Sequence, residues 1–269
     1  MGEAVVDAVT SADGTRIAYE QTGGGPPVIL VDAAGCFRGF GPMLPLAGLL
    51  ATDFTVIRYD RRGRGESGDT APYAVDREID DLQALIDAVG GSACVFGFSS
   101  GAVLSLRAAM RGLPIRKLAL LEPPLELDDS TLTEPEEPDL AAELTALIDA
   151  GRRGDALVHF NASIGVPDEM IDGLRRSEAW PDLERLAHTL VYDCAVTTAV
   201  PVDGLRTLAT PTLVVNSEQS DERLRGWARQ LEDLLPDAVR REMPGEWHGV
   251  PLEDLAPELA RFFGTEPRH

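Results

Sequence analysis

Positive charge is the scarcest feature of this 269-residue chain. Twenty-four basic residues face 45 acidic ones, Lys117 is the only lysine, and the net charge is −21. Such a surface repels phosphate backbones and anionic lipid headgroups, so nucleic acid and membrane surfaces are not expected partners. Cysteine is nearly as rare. Cys36, Cys94 and Cys194 are odd in number and widely spaced, which suggests neither a disulfide framework nor a Cys-x-x-Cys metal site. No apolar run of about 18 residues is present to span a bilayer, and the chain does not open on a basic-then-apolar leader pattern. A cytoplasmic protein without metal or organic cofactor is therefore expected, as a monomer or homodimer. What the chain does have is an ordinary globular composition, 44 % hydrophobic and 26 % charged. That is enough apolar material for one large core and argues against bulk disorder.

Short apolar runs alternate with amphipathic stretches. Residues 5–9 and 15–19 flank the turn Ser11-Ala12-Asp13-Gly14 and read as an antiparallel hairpin. Strands are expected at 27–32, 54–60, 93–98, 117–121, 212–215 and 239–243. Helices are expected at 76–89, 102–110, 224–235 and 255–263. In the first helix Ile79, Leu82, Leu85, Ile86 and Val89 carry the helical period. Strands alternating with helices imply an α/β protein with a mostly parallel sheet covered on both faces. The alternation stops between about 124 and 205. After an acid- and proline-rich loop at 127–139 come helical stretches near 140–150, 154–163, 168–176 and 180–197, with no strand among them. An all-helical insertion between two sheet strands reads as a cap.

Two residues stand out chemically. Gly97-Phe98-Ser99-Ser100-Gly101 is a G-x-S-x-G pattern between an apolar strand and a small-residue helix. A serine at so tight a strand-to-helix turn is pushed out above the strand end, beside the positive end of the helix. The bare pattern also fits a plain glycine turn; its strand-helix context favours a nucleophile. Of four histidines, His159 and His188 fall in the helical stretch and His269 is terminal. Only His248, in Pro244-Gly245-Glu246-Trp247-His248-Gly249, follows the last strand, where a loop can bring imidazole over Ser99.

These residues, with Asp60-Arg61-Arg62-Gly63-Arg64-Gly65-Glu66-Ser67 and Pro211-Thr212-Leu213-Val214-Val215, resemble the α/β-hydrolase superfamily over essentially the whole chain. The first segment looks like that family's D-x-R-G-x-G-x-S turn, the second like its seventh strand. The resemblance implies an eight-stranded, mostly parallel sheet flanked by helices. Its core would be 1–123 plus 206–269, with a cap at 124–205 inserted after strand six. It also implies backbone oxyanion donors at Ala34 and Ser100. Two departures stand out. Asp32-Ala33-Ala34 replaces the family's His-Gly-x, so Asp32 either brings negative charge toward the oxyanion or points away and holds the loop. The usual acid position after strand seven carries Ser220, in Ser217-Glu218-Gln219-Ser220, with Asp221 next to it. Glu122, at the end of strand six, is the favoured acid because a strand end fixes a carboxylate better than a shifted loop. Asp221 is the alternative acid, or simply a helix N-cap.

The expected reaction is hydrolysis of a small-molecule ester, lactone or thioester through an acyl-enzyme on Ser99, with His248 as general base. Asp32, Phe37, Phe98, Trp180 and Tyr192 are candidate pocket residues. The rival readings are a cyclase, isomerase or lyase on the same scaffold and a non-catalytic ligand-binding module.

Overall fold

The computed structural model describes residues 6–125, 127–128 and 139–264. The expected hairpin forms from β1 (Val6–Thr10) and β2 (Arg16–Gly23), closed by Gly14 at φ +87°. Val5 of the expected first strand lies outside the described residues, as does most of the 127–139 loop. After the hairpin the chain alternates through β3 (Pro27–Val31), α1 (Met43–Leu50), β4 (Thr55–Tyr59), α2 (Val75–Ala88), β5 (Ala93–Phe98), α3 (Ser100–Met110) and β6 (Ile115–Leu121). Then come β7 (Leu127–Asp128), helices α4 (Leu140–Asp149), α5 (Arg153–Ser163), α6 (Asp168–Arg175), α7 (Trp180–Leu186) and α8 (Thr189–Val196), β8 (Val200–Pro201) and α9 (Val202–Arg206). The sheet resumes with β9 (Thr212–Ser217), α10 (Glu222–Leu234), β10 (Ala238–Met243) and α11 (Leu252–Gly264).

Eight strands form one sheet in the order β1-β2-β4-β3-β5-β6-β9-β10. It is antiparallel from β1 to β4 and parallel through the rest. The inner strands are buried on both faces, so they read as unbroken apolar runs. Their residues alternate between two cores. Ile29 and Val31 join Val95, Leu82 of α2, Leu104 of α3 and Leu231 of α10 on one face, whereas Val28 and Leu30 join Phe96, Leu46 of α1 and Leu259 of α11 on the other.

Between β6 and β9 the expectation of helices alone needs correction: β7 and β8 pair in parallel, Leu127 opposite Val200. The single helix expected at 180–197 is two. The Thr189 hydroxyl donates to the Leu186 carbonyl at 2.8 Å, taking an acceptor from the backbone ladder where α7 ends. Leu144, Leu157, Phe160, Leu183, Leu186 and Leu190 give these helices an apolar core of their own, against which Ala34, Phe37 and Phe40 of the β3–α1 loop pack.

Candidate active site

Strand β5 ends in a turn that only this glycine spacing permits. A Cβ at Gly97 would sit 2.5 Å from the Gly101 carbonyl, and one at Gly101 2.4 Å from that of Val31. The bend holds Ser99 at φ +53°, ψ −123°, a conformation that costs an ordinary side chain about 1–3 kcal/mol. Among the described residues only three non-glycine residues have positive φ: Ser99, Glu122 (+46°) and His248 (+54°). They come from the ends of β5 and β6 and from the loop after β10. Backbone strain thus falls on these three residues of distant sequence position.

Glu122 is fully buried at the carboxyl end of β6. Its Oε2 lies 2.8 Å from His248 Nδ1. Its Oε1 accepts the Ser217 N–H at 2.7 Å and the hydroxyl of Ser220. Ser220 in turn accepts the His248 N–H at 3.1 Å. The residue at the family's usual acid position therefore ties Glu122 to the histidine loop. Asp221 turns away: its carboxylate caps α10, accepting the Leu224 N–H at 2.9 Å. The histidine loop is itself tight, since a Cβ on Gly245 would meet the Gly249 carbonyl at 2.2 Å. Phe98 and Trp247 flank the imidazole, their ring centroids 4.9 and 5.2 Å from its own.

Ser99 and His248 open into one cavity with two lobes of about 230 and 310 Å³. Both lobes include Ala34, Ser99, Phe160, Ile164, Trp247 and His248. The larger is apolar, walled by Phe40, Phe98, Leu157, Leu183 and Leu190. The smaller holds Ser100, Ser163, Thr197 and Arg223. Ser100 begins α3, where the first N–H groups have no helical acceptor. The Ala34 N–H also has no acceptor among the described residues.

Four of the expected pocket residues lie elsewhere. Trp180 packs among the helices between β6 and β9, its ring beside Gly154. Tyr192 stacks on Tyr73 at 3.8 Å and hydrogen-bonds Asp69. Burial, followed by the Asp69 carboxylate, pushes its phenol up to about 12. Phe37 stacks beside Phe40 behind the cavity wall. Asp32 is 4 % exposed and sits beneath the loop, with its Oδ1 unpartnered among the described residues. An aromatic on a helix finds a partner in the core as readily as in a pocket, and the sequence does not distinguish the two. Phe98 does line the larger lobe.

At the wall of the smaller lobe, which Asp193 helps to line, lies a charged cluster that the sequence did not reveal. Arg61, Arg64 and Asp193 are each about 1 % exposed and Glu78 is 2 % exposed. Arg61 pairs with Glu78 at 2.7 Å and Asp193 at 2.8 Å, and Arg64 with the other Asp193 oxygen at 2.7 Å. Burial works to raise Asp193, but the Arg64 and Arg61 guanidinia outweigh it and hold the carboxyl below its usual range. Two guanidinia and two carboxylates balance, so ionising the buried Asp32 would add a surplus negative charge. Burial pushes Asp32 up to about 7, against the pull of Arg64 and Arg61. A lone acid in the apolar run Thr189-Leu-Val-Tyr-Asp193 was the available signal for Asp193.

Known proteins share this arrangement of sheet and helices. An alpha/beta hydrolase from Sphaerobacter thermophilus is 48 % identical, with a TM-score of 0.87 over 96 % of this chain and 100 % of that one. A thermophilic esterase from Thermogutta terrifontis superposes with a TM-score of 0.72 at 21 % identity, covering 96 % of this chain and 97 % of the other. The uncharacterized hydrolase YraK of Bacillus subtilis is 35 % identical over 102 residues; the match spans 36 % of this chain and 37 % of YraK, little more than a third of its length. The profile of the Alpha/beta hydrolase family matches residues 23–262. With that match running from the end of β2 into the closing helix, the chain belongs to the alpha/beta hydrolase family.

Proposed function

We propose that this hydrolase cleaves small-molecule carboxylic esters, with lactones and thioesters in the same class, through an acyl-enzyme on Ser99. The reading rests on one observation: the three strained non-glycine residues are a serine, a histidine and a glutamate, and the last two meet at 2.8 Å. With Glu122 ionised, His248 carries its proton on Nδ1 and offers Nε2 as the base. As Ser99 Oγ bonds to the substrate carbonyl carbon, its proton passes to Nε2. The carbonyl oxygen takes the negative charge between the N–H groups of Ala34 and Ser100. Collapse of this intermediate breaks the bond to the leaving alcohol, which takes the proton from His248. Water then repeats the sequence and frees the acid. Residues 124–205 act as a cap over this chemistry. The apolar lobe suits an aliphatic or aromatic acyl group, the more polar lobe the leaving group.

A fluorophosphonate probe tests the reading. It should label the wild-type protein and not Ser99→Ala, and Ser99→Ala should lose p-nitrophenyl butyrate turnover by about 10⁴-fold or more. Turnover of the natural substrate retained in Ser99→Ala would favour a cyclase, isomerase or lyase. Tight ligand binding without any turnover would favour a binding module.

A further inference from the structure

The strand-three loop lacks the family's usual His-Gly, yet its Ala34 N–H is required to point at a developing oxyanion. How the loop is held follows from its carbonyls. Arg64 Nη1 donates to the Ala33 carbonyl at 2.7 Å and to that of Cys36 at 3.1 Å. Arg61 Nη1 reaches the Asp32 carbonyl at 3.3 Å. Ala33 O and Ala34 N–H belong to the same peptide unit. A trans peptide is planar and carries its oxygen and hydrogen on opposite edges. Fixing the oxygen at 2.7 Å in a buried site therefore fixes the direction of the hydrogen, and Ala34 lines both lobes of the cavity. A guanidinium on the carbonyl edge also polarises the peptide and strengthens its N–H as a donor.

Arg64 is itself held by the insertion. Asp193 of α8 receives Arg64 Nη2 on one oxygen and the Ser100 hydroxyl, at 2.8 Å, on the other. Arg61 donates to that second oxygen and to the Ser100 hydroxyl at 3.2 Å. One buried carboxylate thus touches both a side chain that orients the Ala34 peptide and the residue that supplies the second donor.

We propose that Arg64 is a positioning residue for the oxyanion site, aiming and polarising the Ala34 N–H, and that Asp193 couples the helical insertion to it. This rests on the acyl-enzyme reading above. Its distinctive consequence is selective loss of transition-state binding. Arg64→Met should lower kcat on p-nitrophenyl acetate by about 100-fold, the scale of one lost oxyanion donor. It should weaken inhibition by an alkyl trifluoromethyl ketone, whose adduct with Ser99 carries the same oxyanion, by a similar factor. KM should stay within about three-fold. Arg64→Lys, which keeps one donor for the Ala33 carbonyl, should recover at least about ten-fold of the loss, and Asp193→Asn should show the same pattern at about ten-fold. A merely structural ion pair would lower melting temperature and active fraction without moving the ketone's inhibition constant relative to KM. That result, or a folded Arg64→Met with unchanged kcat, overturns the proposal. If Arg64→Met does not fold, the near-isosteric Asp193→Asn decides by the same ratio. Failure of the acyl-enzyme reading would be visible first in wild type, as absent probe labelling at Ser99, and would take this proposal with it.

Discussion

The carboxyl edge of the sheet and the helical segment between β6 and β9 contribute to one cavity in different ways. The sheet edge presents polar atoms at strained backbone positions: Ser99, Glu122 and His248, all at positive φ. The helices present apolar walls in relaxed conformation, Leu157, Phe160, Leu183 and Leu190, and one buried charge, Asp193. A parallel sheet resists deformation because each strand is hydrogen-bonded on both sides. The Ser99 N–H is tied to Leu121 and the Glu122 N–H to Val215, each at 2.9 Å. Strain can be held at such a place, where the neighbouring ladder prevents its relaxation. The helices lack such a ladder and are held by side-chain packing and a few side-chain bonds, such as those of Asp193 to Arg61 and Arg64, which suits a surface that shapes a pocket.

The division predicts that sheet-edge changes alter turnover of every ester alike, whereas wall changes alter the choice among esters. The largest effect tests the edge. Glu122→Gln keeps the shape of the side chain but reverses the hydrogen-bonding demand on His248 Nδ1, so kcat should fall by about 10³–10⁴-fold on acetate and hexanoate esters equally. Asp221→Asn, which disturbs only the cap of α10, should stay within about three-fold. Steady-state kinetics on both p-nitrophenyl esters checks this, and equal losses in the two variants would return the acid to the loop after β9. An intermediate effect tests the wall. Phe160→Ala should lower the hexanoate-to-acetate ratio of kcat/KM by about ten-fold, the worth of a lost apolar contact in a pocket. A uniform fall in kcat on both esters would mean that the helices act on the chemistry through packing as well.

The same contrast explains which parts of the site were legible in the sequence. Ser99 is announced by neighbours within two residues, because the turn's geometry is local. His248 is found by its place after the last strand. The choice between Glu122 and Asp221 depended on where the ends of β6 and β9 stand relative to each other, with Leu121 opposite Val215, and no local pattern encodes that register. The Arg64–Asp193 pair joins residues 129 positions apart. Helix α1 carries no polar residue to mark a solvent face, and Pro45 and Gly48 read as breakers, so Met43–Leu50 gave no periodic signal. Trp180 and Tyr192 misled because size and hydrophobicity serve core and pocket equally.

Asp32 belongs to neither region's logic, and its removal should have only a small effect on turnover. It is buried, lacks a partner for Oδ1, and has its carboxyl pushed up to about 7 by burial. The alternative that it points away from the site fits its absence from the cavity wall. In the unfolded chain its carboxyl ionises near 3.8. Between about pH 4 and 7 the folded protein therefore holds one proton more than the unfolded chain at this residue, and stability falls as pH rises through that window. The loss is complete once pH exceeds the folded value. Asn cannot ionise, so Asp32→Asn should remove this contribution. The variant's stability relative to wild type should climb by a few kcal/mol between pH 4 and pH 7 and level off above it. Urea unfolding at pH 4.5, 6 and 8 measures the difference, while kcat at pH 8 should change by less than about five-fold. A stability difference independent of pH would mean that the guanidinia of Arg61 and Arg64 hold Asp32 ionised throughout. In that case the carboxylate is a third anion of the buried cluster, and the loop beneath Ala34 is anchored by charge on both of its sides.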